Sequence, residues 1–213
     1  MILNVQEIQR RMSLPFPDKL VITPILSGEQ MKPGNTGVDI RLGQDFIVAE
    51  GTALANINPM ELTDRQQLAG YLRRVHVPIG DAFVLHPRQF ALGATLEYFK
   101  LPANTAADVI GRSRWARVGL VIAMATFVRP GYAGCLTLEL QNLGDVPLNL
   151  SPGLSIAQVI LADSMSPDPT SPSQFQCSVG PEFPELVGGS DLKALTRFRT
   201  ERQAHLSKAT STK

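Results

Sequence analysis

Cysteine and charge imbalance are what this chain has least of. Cys135 and Cys177 are the two cysteines among 213 residues. They are too few to staple a small fold and read as reduced thiols of an intracellular protein. Twenty Lys and Arg against nineteen Asp and Glu leave a net charge of +1, so no overall field recruits DNA, RNA or an anionic membrane. Any anion binding has to come from a local cluster. No apolar run approaches the roughly 20 residues of a membrane span. Met1-Ile2-Leu3-Asn4 lacks the basic-then-apolar pattern of a secretion signal. A cytoplasmic protein with no nucleic-acid and no membrane partner is expected. His76, His86 and His205 are too scattered to suggest a metal site.

What is present is enough apolar content, 44% of 213 residues, to bury one good core. Asn4 is placed to cap a helix from Val5 to about Met12, with Glu7 three residues on completing a capping-box-like pattern. Thr36 to Gly43 alternates apolar and polar residues as a half-buried strand does. Asn58, Pro59 and Glu61 carry helix-start signals, predicting a helical insertion over about 58–74. From Ala82 onward, short apolar runs alternate with turn signals such as His86-Pro87-Arg88, Arg129-Pro130-Gly131 and Ser151-Pro152-Gly153. That spacing predicts a mainly β sandwich or distorted barrel with a short N-terminal helix and one or two accessory helices. Ser164 to Ser173 carries three prolines in ten residues and reads as a loop. Asp191 to about Leu206 has Leu192, Leu195 and Phe198 at spacings of three and is expected to be helical, ahead of a disordered polar tail. The organisation expected is a domain over 1–186 and an extension over 187–213.

Two segments carry chemistry. Gly111-Arg112-Ser113-Arg114-Trp115-Ala116-Arg117 gathers cations, a hydroxyl and backbone donors beside a flexible glycine. In a short helix, Ser113 and Arg117 share a face, the first turn leaves N–H groups unpaired, and arginine offers a planar fork to phosphate oxygens. A solvated basic face has the same composition. The second segment, Cys135 to Asn142, puts Leu136, Leu138 and Leu140 on one strand face and Cys135, Thr137, Glu139 and Gln141 on the other. An enclosed Glu139 is suited to proton transfer; an exposed one is an ordinary surface glutamate.

In order and wording these segments resemble the dCTP deaminase branch of the dUTPase superfamily. That family has a Gly-Arg-Ser-Ser turn, an Ile-Asp-Pro-Gly loop, a Thr/Val-Leu-Glu strand and a Pro-Gly-Met-x-Ile-x-Gln segment. This chain offers GRSRWARVGL at 111–120, VRPGY at 128–132, LTLELQN at 136–142 and SPGLSIAQ at 151–158. Gly37 to Gly43, Leu85-His86-Pro87 and Thr95-Leu96-Glu97-Tyr98 match as well, so the likeness spans about 1–186. It implies a dUTPase-like β-clip subunit, a homotrimer with sites between subunits, and conversion of dCTP to dUTP and ammonia without zinc. The sequence lacks the His/Cys-x-Glu plus Cys-x-x-Cys signature of zinc deaminases. By resemblance, Arg112, Ser113 and Arg117 hold the phosphates of a pyrimidine nucleoside triphosphate whose Mg2+ arrives with it. Glu139 then shuttles a proton, and Ser113 and Arg117 help order the water and the carboxylate. Trp115 either stacks on a base or packs at a core or subunit interface. Asp39 is expected to satisfy backbone or arginine donors.

The chain departs from the family at several site positions. Arg129 stands where the family writes Asp, and a guanidinium donates hydrogen bonds but cannot act as a base. A dUTP pyrophosphatase activity is therefore disfavoured. Gln174 replaces a lysine and Ser178 a glutamine in the closing segment, and Gln158 matches the family glutamine. Arg129, Gln158, Gln174 and Ser178 are thus further candidate substrate contacts. Two readings remain: a dCTP deaminase-like enzyme resting on Arg112, Ser113, Arg117 and Glu139, and a non-catalytic member that binds a nucleotide or a partner protein.

Overall fold

The computed structural model describes residues 1–50, 56–62, 71–122, 127–164, 175–184, 186 and 189–211. Helix α1 (Val5–Met12) starts where expected, with the Asn4 side chain accepting the Glu7 N–H at 2.9 Å. Its buried residues include Arg11, which donates to the Thr105 hydroxyl at 2.8 Å and to the Asp163 carboxylate at 2.5 Å. A charge so placed is tolerable because it is paired, and the pairing fixes α1 on the sheet beneath it.

Among the described residues the strands form three antiparallel sets. One sheet runs in the order β2 (Val38–Arg41), β12 (Ser155–Asp163), β7 (Thr105–Gly111), β9 (Phe127–Val128). The other runs β4 (Leu72–His76), β3 (Asp45–Ala49), β6 (Phe90–Lys100), β10 (Ala133–Asn142), β8 (Leu120–Ile122), with β1 (Val21–Thr23) also on β6. A small pair joins β11 (Leu148–Leu150) to β5 (Phe83–Leu85). The core draws on both sheets, with Ile40, Leu42, Phe46, Phe99, Leu138, Leu140 and Val159 no more than 1% exposed. The rings of Phe46 and Phe83 stack 4.3 Å apart. The mainly β architecture is the one the turn spacing predicts.

The alternation read for β10 holds from Leu136 onward, whereas Cys135, read on the Glu139 face, is buried. Leu136, Leu138 and Leu140 are buried, whereas Thr137, Glu139 and Gln141 are half-buried. Between Cys135 and Thr137 the register with β6 shifts. Such a bulge leaves one backbone N–H off the ladder, and the buried Thr95 hydroxyl takes it, accepting from Leu136 N at 2.9 Å.

The chain divides into two compact units, residues 1–48 with 74–182 and residues 49–73 with 183–213. In the second, the N–H groups of Met60 and Glu61 turn back onto Asn58, so the helix-start signals there make a turn. The expected helix over 58–74 is corrected at its far end too, because Leu72–Arg74 belong to β4; 63–70 lie outside the described residues. Helix α3 (Ser190–Ser211) continues past Leu206, where a disordered tail was expected. It carries an Arg197–Glu201 ion pair at 2.8 Å and an Arg199–Glu61 pair at 3.4 Å. The proline-rich stretch lies outside the described residues from 165 onward. No described helix is long and apolar enough to cross a membrane.

Candidate functional site: the arginine turn and Glu139

The strand β7 ends at Gly111, and Arg112 caps a single helical turn, α2 (Ser113–Ala116), with Arg117 at its far end. Three side chains lock this turn onto the start of β12. Arg112 Nη1 donates to the Ser155 hydroxyl at 2.8 Å and to the Asp39 carboxylate. Arg114 and the Trp115 indole N–H both donate to the Ser155 carbonyl, at 3.0 and 2.9 Å. Trp115 packs half-buried against the core, its structural reading. Past the turn, Gly119 has φ +91°, and a Cβ there would lie 2.4 Å from the Gly144 N. The close approach that only glycine allows ties the arginine turn to the loop after β10, where Leu143 N donates to Gly119 O at 2.8 Å.

What this scaffold leaves open is Ser113 and Arg117. Both are exposed, and among the described residues neither side chain has a hydrogen-bond or ion-pair partner. The chain then enters β8, where Leu120, Val121 and Ile122 pair with Asn142, Gln141 and Leu140. Glu139 is the next residue along β10, opposite Leu92 of β6. Its carboxyl is half-buried and likewise has no described partner. At about 3.4 Å per strand residue, Glu139 lies roughly 10 Å along the sheet from the level of Leu120. The arginine turn and the carboxylate are thus carried by adjoining strands of one sheet. Among the described residues no group of three or more His, Cys, Asp or Glu is arranged to hold a metal ion.

Residues 2–164 match the dCTP deaminase-like family. This chain belongs to that family. It is 39% identical over 150 residues to the dCTP deaminase of Halorubrum lacusprofundi, covering 70% of this chain and 71% of that one. It is 37% identical over 150 residues to the dUMP-forming dCTP deaminase of Methanobrevibacter smithii, covering 70% and 75%. The fold is that of the 2'-deoxycytidine 5'-triphosphate deaminase of Agrobacterium tumefaciens, at TM-score 0.56 and 21% identity over 75% of this chain. The chain spans about half of that structure's length, 47%. These relatives are enzymes by name.

As a member of the dCTP deaminase-like family, the chain disposes its other candidate residues unevenly. Arg129 is exposed without a described partner, in a turn closed by Tyr132 N on Arg129 O at 3.3 Å. Pro130 and the positive φ of Gly131, 76°, fit a type II turn. Tyr132 donates to Cys135 O at 2.7 Å, and burial pushes its phenol above the ordinary range. Gln158 is half-buried on the face of β12 opposite Val159 and Leu161, and it donates to Asp39 Oδ1 at 2.6 Å. Ser178 is also engaged within the chain. It is 5% exposed, and its hydroxyl donates to Gly180 O at 2.5 Å and lies 2.9 Å from the Glu182 carboxylate. It anchors a strap along β10, with Cys177 N on Ala133 O and Cys135 N on Ser178 O. Gln174 lies outside the described residues.

Two further polar positions were not singled out in the sequence. Ser155, the hub for Arg112, Arg114 and Trp115, lies inside the SPGLSIAQ segment but gives no signal of its own. Glu97 is fully buried on β6, accepting from Gln30 Nε2 and from Arg41 N, each at 2.9 Å. Burial pushes its carboxyl up.

Proposed function

We propose that the protein is a zinc-independent dCTP deaminase that releases dUTP and ammonia. The observation that carries this reading is the unpartnered set of Ser113 and Arg117 on the arginine turn, with unpartnered Glu139 on the adjoining strand. In this reading Arg112, Ser113 and Arg117 hold the triphosphate, and Mg2+ rides on the phosphates. Water adds its oxygen to C4 of the cytosine ring while Glu139 takes a proton from it. Of the two water protons, one ends on ring N3 and the other on the departing amine. The C4–N bond breaks, ammonia leaves and the C4 carbonyl of uracil remains. Ser113 and Arg117 also help order the water and the carboxylate. The working form is a homotrimer in the cytoplasm, with no nucleic acid or membrane partner.

Arg129 bears on the product. Exposed and cationic, it offers hydrogen-bond donors only and cannot activate water for attack on a phosphate. The reaction therefore stops at dUTP, unlike that of the relatives named dUMP-forming. The same substitution, together with the internal engagement of Ser178, favours a second reading in which the protein binds nucleotide without turning it over. Incubation with Mg2+ and dCTP, with the products resolved by chromatography, separates these outcomes. Deaminase activity gives dUTP, activation of water at the loop gives dUMP, and a silent binder returns dCTP.

A further inference from the structure

Arg112 was expected at the phosphates, yet its Nη1 is spent inside the chain. Both hydrogens of that nitrogen have acceptors, the Asp39 carboxylate and the Ser155 hydroxyl. A guanidinium carries five N–H donors in a rigid plane, so three remain. Two of them, on Nε and Nη2, point along one edge of the fork, and neither nitrogen has a described partner. The Arg112 side chain is 28% exposed, and with Nη1 occupied the Nε–Nη2 edge is the part of the fork left without a described acceptor. Paired donors on such an edge match two oxygens of a phosphate.

The acceptor that sets this orientation is itself braced. Asp39 is 15% exposed on β2, and its second oxygen accepts from Gln158, its direct partner across β12. Each carboxylate oxygen therefore has one donor, and neither Arg112 nor Gln158 can move without leaving a partly buried charge underpaired. Buried ion pairs contribute little net stability, and their better-attested use is to fix geometry.

We infer that Asp39 is a positioning residue of the phosphate cradle, holding the Arg112 plane so that its Nε–Nη2 edge faces a nucleotide phosphate. This rests on the deaminase reading of the site, or at least on nucleotide binding there. Asp39→Asn keeps the volume but sets an amide N–H against one of two donors, Arg112 or Gln158, and releases the guanidinium. In calorimetric titration with Mg2+-dCTP, Asp39→Asn is expected to bind about tenfold more weakly, with kcat at saturation within about twofold of wild type. The loss is expected to shrink from triphosphate to monophosphate. In an Arg112→Ala background, Asp39→Asn is expected to add nothing further. Gln158→Leu, which leaves the ion pair in place, is expected to weaken binding by about threefold and serves if Asp39→Asn does not fold. Wild-type affinity in the variant that folds, or a loss that adds in full to that of Arg112→Ala, overturns the positioning role alone. A wild-type protein that binds no nucleotide overturns the functional reading with it.

Discussion

The triplet Thr-Leu-Glu occurs twice, at 95–97 on β6 and at 137–139 on β10, and the fold uses the two copies in opposite ways. Glu97 is fully buried with a donor on each oxygen, whereas Glu139 is half-buried with no described partner. Thr95 is buried and satisfies the stray N–H of the bulge, while half-buried Thr137 accepts from Glu182 N in the strap, at 3.2 Å. The strands pair with each other, but β6 lies between β3 and β10, whereas among the described residues β8 flanks β10 over Leu140–Asn142. Identical wording therefore gives one carboxylate a donor on each oxygen and leaves the other, among the described residues, without one. What separates them is the company each keeps across the sheet.

The comparison can be broken at its structural end. Glu97→Leu leaves the Arg41 N–H without its acceptor in the interior and is expected to cost about 3 kcal/mol in urea denaturation. A cost under about 0.5 kcal/mol would mean that the buried carboxylate does not hold the sheet. Thr95→Val strands the Leu136 N–H and is expected to cost about 1–2 kcal/mol in the same measurement, with an unchanged denaturant slope.

A finer distinction comes from pH. Because burial raises the Glu97 pKa in the folded state, folding binds a proton there that the unfolded chain releases. The stability from Glu97 is full below its unfolded pKa and lost as pH rises through the folded one. Glu7 has the opposite sign. Hydrogen bonds from Arg10 and Arg11 lower its carboxyl from 4.5 to about 2, so its contribution is present above 4.5 and lost as pH falls towards about 2. Urea midpoints across pH 2 to 7 for wild type and Glu97→Gln are expected to differ in slope above the ordinary carboxylate pKa and not below it. Parallel curves would contradict the buried-carboxyl account.

Local patterns were legible in the sequence. The Asn4 cap, the two-residue period of β10 and the turn after Arg129 each depend on neighbours a few residues away, and each appears as read. The start signals at Asn58 to Glu61 are equally local but yield a turn, and pairing with β3 carries Leu72–His76 into a sheet. At the site, helical spacing put Ser113 and Arg117 on one face, and both are exposed. The internal engagement of Arg112 did not, because its acceptor Asp39 lies 73 residues away. Ser178 was equally opaque, since its burial depends on a strap laid along β10.

The central claim is that Glu139 moves the proton while the fold does not need it. Its most direct test is Glu139→Gln, assayed for ammonia release from Mg2+-dCTP, with nucleotide affinity and urea midpoint measured on the same sample. The account predicts a kcat at least about 100-fold lower, with binding and midpoint unchanged. Ammonia release at the wild-type rate from the variant would contradict it.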